Sequence, residues 1–190
     1  YDPPYSNHPC LSCDSLGRLY FAGCNDALIG RVAPAGSYEL LHGESLQSEV
    51  LVTSGGSLCL SPDQTLLYIS APDGWIDCVQ LRSTPPLFQH AQHFFQTEQS
   101  WGPRLEQTHH AAMCVDSNGW LYVTSSLGIQ VCDQAGRVNF IIPTPKPAED
   151  ICFGGKELGE LYISCGDTLY KRRTKARGVV SGQQQPVKPP

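Results

Sequence analysis

Four stretches of this chain repeat one pattern. Internal repetition constrains a fold more than any local propensity, because each copy must bury its face against the next. Leu11-Ser12-Cys13-Asp14 aligns with Leu58-Cys59-Leu60-Ser61, with Met113-Cys114-Val115-Asp116 and with Ile151-Cys152-Phe153-Gly154. Eight to ten residues after the first member of each comes a Leu-Tyr pair and a bulky apolar residue: Leu19-Tyr20-Phe21, Leu67-Tyr68-Ile69, Leu121-Tyr122-Val123 and Leu161-Tyr162-Ile163.

Between the two runs of each copy lies turn chemistry: Asp14-Ser15-Leu16-Gly17, Pro62-Asp63-Gln64, Asp116-Ser117-Asn118-Gly119, and Gly154-Gly155 through Gly159. Asp bonds its own backbone two residues on and Gly supplies a positive φ, so these segments predict β-hairpins. A third strand is expected at 28–32, 75–79, 129–132 and 169–171, and a fourth, outer strand at 38–41, around Phe94-Phe95 and at 138–142. The Leu-Tyr pairs recur at intervals of 48, 54 and 40 residues, about the length of one propeller blade. Helical solenoids would show apolar spacing near 3.6, and a sandwich has no reason to repeat the same pair of strands four times. The expected fold is therefore all-β, a β-propeller of four-stranded blades over residues 1–177, with a flexible Gln- and Pro-rich tail over 178–190.

Charge and cysteine usage narrow the function classes. The formal net charge of −5 argues against a nucleic-acid partner, because phosphate contacts need a local surplus of Lys and Arg. Lys171, Arg172, Arg173, Lys175 and Arg177 place five of the thirteen basic residues within seven positions, which reads as a solvated last strand. No stretch approaches the roughly 20 apolar residues of a spanning helix, so no membrane partner is expected. Nine cysteines, an odd number scattered through apolar runs, read as reduced thiols rather than a disulfide framework. Cys59, Cys114 and Cys152, with Ser12, share one register on the innermost strand, where small side chains fit. Cys10 and Cys13 form a CxxC without the second pair a structural zinc site wants, and read as two cysteines on an inner strand. Tyr1-Asp2-Pro3-Pro4 is neither a charged leader nor an apolar signal core, so the expected compartment is cytoplasmic; the missing initiator Met suggests a fragment or a processed chain.

The segment Asp150-Ile151-Cys152-Phe153-Gly154-Gly155 through Leu161-Tyr162-Ile163-Ser164 resembles the last blade of the gluconolactonase, regucalcin and luciferin-regenerating enzyme family. Ala112-Met113-Cys114-Val115-Asp116 with Leu121-Tyr122-Val123 is similar to that family's preceding blade, and Leu60-Ser61-Pro62-Asp63 with Leu67-Tyr68 to the one before it. The resemblance covers roughly residues 8 to 177. It implies a six-bladed ring of which this chain supplies four, two blades being absent from its start, and a hydrolase that opens lactones or related esters with a divalent cation, calcium, manganese or zinc, at the channel mouth. The implied partner is a small lactone or sugar acid. Open blade edges would also invite pairing with a protein partner or with a second copy.

The resemblance places site residues just before each innermost strand. Where the family has Asp-Gly ahead of Met113, this chain has Ala111-Ala112, and where it has Asn-Gly ahead of Leu58, this chain has Gly56-Ser57. The channel mouth keeps Asn7, His8, Ser54, Ser57, His109, His110, Glu149 and Asp150. His109 and His110 are the candidate catalytic residues, since imidazole is a usual general base and metal ligand, although neighbours on a strand face opposite ways and only one of them can face the channel. His110 and Glu149 are the fallback metal ligands. Asn7, Asn25 and Asp26 are the candidate substrate contacts. His90 and His93, flanking Phe94-Phe95, read as outer-strand or loop residues. The alternative function is a non-catalytic propeller serving as a binding or scaffold module, motivated by Gly56 and Ala111.

Overall fold

In three of the four repeats an aspartate or serine closes the hairpin at its centre. Asp116 Oδ1 accepts from the backbone N–H of Asn118 (2.9 Å) and Trp120 (3.0 Å), and its Oδ2 accepts from the Tyr122 hydroxyl (3.3 Å). Asp14 does the same for Leu16, Arg18 and the Tyr20 hydroxyl, each at 3.0 Å, and pairs with the Arg18 side chain. Ser61 Oγ takes this place in the second repeat, accepting from Thr65 and Leu66. In the fourth, the Tyr162 hydroxyl donates to Glu160. Three of the four repeated tyrosines thus have a carboxylate partner, which satisfies a hydroxyl that burial would otherwise strand.

The computed structural model describes residues 10–22, 29–41, 56–71, 74–83, 88–98 and 111–190. Among them are four antiparallel sheets. Sheet 1 holds β1 (Cys10–Cys13), β2 (Leu19–Ala22), β3 (Ile29–Val32) and β4 (Tyr38–Leu41). Sheet 2 holds β5 (Leu58–Leu60), β6 (Leu66–Ser70), β7 (Trp75–Leu81) and β8 (Phe88–Gln96). Sheet 3 holds β9 (Met113–Val115), β10 (Leu121–Ser125), β11 (Gly128–Cys132) and β12 (Val138–Ile142). Sheet 4 holds β13 (Asp150–Gly154), β14 (Glu160–Cys165) and β15 (Thr168–Arg173). Strands follow one another in sequence order across each sheet, and the innermost strands pack in succession, β1 on β5, β5 on β9 and β9 on β13. The described residues thus form four blades of a β-propeller. The expected third strands are present in all four sheets and the expected fourth strands in three. No helix of the described residues is long and apolar enough to cross a membrane.

The Leu-Tyr pair is the joint between blades. Successive strand residues point to opposite faces, and the structure gives the two faces different neighbours. Leu67 packs in the cluster between sheets 1 and 2 with Tyr20, Leu121 in the cluster of sheets 2 and 3 with Tyr68, and Leu161 in the cluster of sheets 3 and 4 with Tyr122. Each leucine therefore packs back on the preceding sheet and each tyrosine forward on the next. Leu67, Leu121 and Leu161 are all 0% exposed, whereas Leu19, at the same repeat position in sheet 1, is 44% exposed and Leu11 beside it 65%. The backward face of sheet 1 carries no further sheet among the described residues.

Buried amides add polar joints. Gln130, fully buried in β11, accepts from the Glu98 N–H (2.8 Å) and donates to the Glu98 carbonyl (2.6 Å), tying sheet 3 to the end of β8. Gly136 lets the β11–β12 turn approach the same strand, since a Cβ there would stand 2.4 Å from the Phe94 carbonyl oxygen. Arg31, 7% exposed, donates to the Arg82 carbonyl at 3.2 Å. Residues 178–190, the Gln- and Pro-rich segment, run back across the hairpin turns of sheets 3, 1 and 2.

Two expectations follow. Leu121→Ala should destabilise the chain by about 2–5 kcal/mol, because it leaves a cavity between two sheets, while Leu19→Ala should change it by only about 0.5 kcal/mol; urea unfolding of both variants reads the difference, and equal losses would contradict the joint. Burial raises the Asp116 carboxyl above its ordinary range of 3.8. Its contribution to stability is complete below that value and is lost as pH rises through the folded value, so Asp116→Asn should lose more stability than wild type as pH falls from neutral towards 3.8, measured by denaturant unfolding along that range.

Candidate functional site

The four inner strands start on one rim of the arc, so residues that precede them gather there whatever their spacing in sequence. The N–H groups that lead into an inner strand need partners. In sheets 2, 3 and 4 the second strand supplies them. Ser70 Oγ accepts from the Ser57 N–H at 2.8 Å, while the Gly56 N–H reaches the Ser70 carbonyl at 3.1 Å. Thr124 Oγ1 accepts from the Ala112 N–H at 2.9 Å, and the Glu149 N–H reaches the Ser164 carbonyl at 2.9 Å. Ser70 and Thr124 are both buried. This set of rim anchors, Ser70, Thr124 and Ser164, was missed in the sequence; its signal is a hydroxyl residue two positions after the tyrosine in three of the four Leu-Tyr pairs, the first having Ala22 there.

What the rim offers chemically depends on its side chains. Gly56 is buried and has none, and the Ala111 methyl packs against the cluster between sheets 2 and 3. Neither position presents an oxygen donor, so neither fits the hard divalent cation that the family resemblance implied there. Glu149 and Asp150 are the exposed carboxylates of this rim among the described residues, with Asp150 Oδ1 accepting from the Ile151 N–H at 2.8 Å. Among the described residues no group of three or more His, Cys, Asp or Glu is placed to hold a metal ion. The candidates Asn7, His8, Asn25, Asp26, Ser54, His109 and His110 lie outside the described residues.

The other singled-out residues fall away from the rim. His90 and His93 both lie on the outer strand β8. His93 Nδ1 is 2.7 Å from Asp77 Oδ1, and its ring stacks on Trp75 with centroids 4.3 Å apart. Asp77 is 1% exposed, held opposite His93 by strand pairing. The alternation Trp75-Ile76-Asp77, which sets the aromatic and the carboxylate on one face, could have flagged that pair.

Cys59, Cys114 and Cys152 do occupy one register, opposite Tyr68, Tyr122 and Tyr162 on the adjoining strands. Burial pushes the Cys59 thiol up to about 12 and raises that of Cys114 well above its usual range. A neutral buried thiol is a small hydrophobe rather than a nucleophile. Cys152 is exposed, on the forward face of sheet 4. Cys10 and Cys13 are the two ends of β1 and present themselves to opposite faces.

Comparison with known proteins agrees with this architecture. Residues 11–166 match the family model described as the SMP-30/Gluconolactonase/LRE-like region. Among solved structures, a gluconolactonase from Xanthomonas campestris superposes with a TM-score of 0.68 at 22% identity, over 94% of this chain and 60% of that one. A calcium-binding protein, regucalcin, from Agrobacterium tumefaciens gives 0.69 at 16% identity over 90% and 62%. A luciferin-regenerating enzyme gives 0.64 at 17% identity over 94% and 64%. The chain thus spans less than two thirds of the length of each. No curated protein matches the chain in sequence.

The rim anchors carry their own test. Thr124→Val keeps the side chain's shape but strands the Ala112 N–H, and should destabilise the chain by about 1–3 kcal/mol; Thr124→Ser should retain most of that stability, both read by urea unfolding.

Proposed function

Because the chain belongs to the SMP-30/gluconolactonase/LRE-like family, which its residues 11–166 match, we propose that it is a lactonase-like propeller whose rim takes a small lactone or sugar acid. The observation that carries the reading is the coincidence of that match with four blades whose inner strands begin on a common rim. Its four blades are the C-terminal part of a six-bladed ring in this reading.

The chemistry is acyl transfer to water. A water oxygen bonds to the ring carbonyl carbon, the ring C–O bond breaks, and the leaving oxygen takes a proton, giving the open hydroxy acid. His109 or His110, whichever faces the rim, is assigned to accept the proton of the attacking water. Asn7, Asn25 and Asp26 are assigned to the hydroxyls of the substrate. Divalent-cation dependence belongs to the family in general; since positions 56 and 111 do not fit a cation, His110 and Glu149 are the groups assigned to hold calcium, manganese or zinc. Cytoplasmic residence is part of the same proposal.

A second reading, a non-catalytic binding or scaffold propeller, is favoured by one specific observation: Gly56 and Ala111 stand where oxygen donors are expected. Fold alone does not establish chemistry. The two readings part in one set of measurements. Incubation with gluconolactone and a panel of lactones, with calcium, manganese or zinc and with chelator, should give metal-dependent ring opening, and His→Ala at the rim-facing one of positions 109 and 110 should lower kcat by about 10²–10⁴-fold. Ring opening at the background rate under every condition removes the hydrolase reading. Stoichiometric calcium uptake by calorimetry removes the scaffold reading.

A further inference from the structure

We propose that residues 178–190 are a strap that fastens sheet 1 to the rest of the propeller across the hairpin-turn face, with the Gln64 carboxamide as its buckle. The strap starts between sheets 3 and 4. Gly178 donates to the Leu158 carbonyl at 2.9 Å and bridges to Asp116, and Val179 donates to the Val115 carbonyl at 3.1 Å. Glycine is required there by contact, since a Cβ on Gly178 would stand 2.1 Å from that of Phe153.

From the end of β9 the strap passes to the end of β1, an inner strand two blades away. Ser181 Oγ donates to the Cys13 carbonyl at 2.8 Å, and Gly182 lies against the Cys13 side chain. Residues 180–184 close one turn, with Gln183 and Gln184 donating to the Val180 carbonyl at 2.9 and 3.1 Å. The strap then doubles back, Val187 donating to the Pro62 carbonyl at 2.8 Å and the Pro190 carbonyl accepting from Gln134 at 3.2 Å. Pro186, Pro189 and Pro190 restrict the unfastened segment and so reduce the entropy lost when it lies down.

Gln64 joins these parts. It is 7% exposed and sits at φ 59°, a left-handed conformation uncommon outside glycine. Its Oε1 accepts from the Ser15 N–H (3.1 Å) and the Ser15 hydroxyl (2.9 Å) of sheet 1. Its Nε2 donates to the carbonyls of Ser181 (3.1 Å) and Gln184 (3.3 Å) of the strap. One amide from sheet 2 thereby fills both acceptor and both donor positions with partners from two other parts of the chain. Among the described residues the forward face of sheet 1 packs on sheet 2, while Leu11, Leu19 and Tyr38 on its other face are exposed, so the bonds through Gln64 and the strap add to packing on one face.

Hydrogen exchange on the full chain tests the strap. Gln64→Asn keeps an amide residue that tolerates left-handed φ but is one methylene too short to reach, and Ser181→Ala removes only the Cys13 contact. Each should speed exchange of β1 and β2 amides by about tenfold while leaving β10 and β14 unchanged, and the double variant should show less than the product of the two effects, because both act by lifting one segment. A chain ending at Arg177 should show the same selective loss, and a synthetic peptide of residues 178–190 should restore protection. Unchanged exchange in β1 and β2, or an equal increase in all four sheets, overturns the proposal. If the shortened chain does not fold, the two point variants decide the question alone.

Discussion

Everything in this molecule depends on how one sheet packs on the next. A β-sheet with two apolar faces must find cover for both, and a radial stack of sheets is a solution in which each blade serves as cover for its neighbours. The Leu-Tyr pair shows the division in two adjacent residues: leucine seals the joint behind, tyrosine the joint ahead. In sheets 1 and 3 the tyrosine hydroxyl reaches the carboxylate that closes the same hairpin. A hairpin turn and an inter-blade joint are thus held by one side chain, and the turn cannot be loosened without loosening the joint.

The same economy governs the polar joints. Gln130 and Gln64 bury carboxamides whose partners all lie in other blades or connections. Directional bonds of this kind fix angles between sheets, which apolar packing leaves adjustable. They also make the arc sensitive to its ends. Among the described residues sheets 2 and 3 have a sheet on either side, whereas sheet 1 is held by sheet 2, the Gln64 bonds to Ser15, the Arg31 bond to Arg82, and the C-terminal segment.

Function is separated from this framework. The residues that gather before the inner strands are anchored through their backbones by Ser70, Thr124 and the Ser164 carbonyl, so the rim keeps its shape whatever side chains it presents. That separation explains how a propeller of this family can hold a glycine at position 56 and an alanine at position 111 without disturbing the blades. It also explains why family membership and rim chemistry are distinct questions.

Sequence alone determined the repeated hairpins, the all-β class and the strand limits to within a few residues, because these follow from local rules: alternation, turn residues and recurrence. The register of Cys59, Cys114 and Cys152 was equally legible, being a property of the alignment of repeats. Tertiary structure alone decided which face of each strand meets which neighbour, since alternation separates two faces but does not say which blade covers each; Leu19 and Leu121 hold the same place in the repeat and differ in burial because, among the described residues, Leu121 alone of the two has a sheet behind it. It likewise decided the fate of Gln64 and of residues 178–190. A glutamine in a turn and a polar, proline-rich end carry no periodic signal, and their pairing spans 117 and 120 residues of chain, a distance over which only folded geometry brings donor and acceptor together.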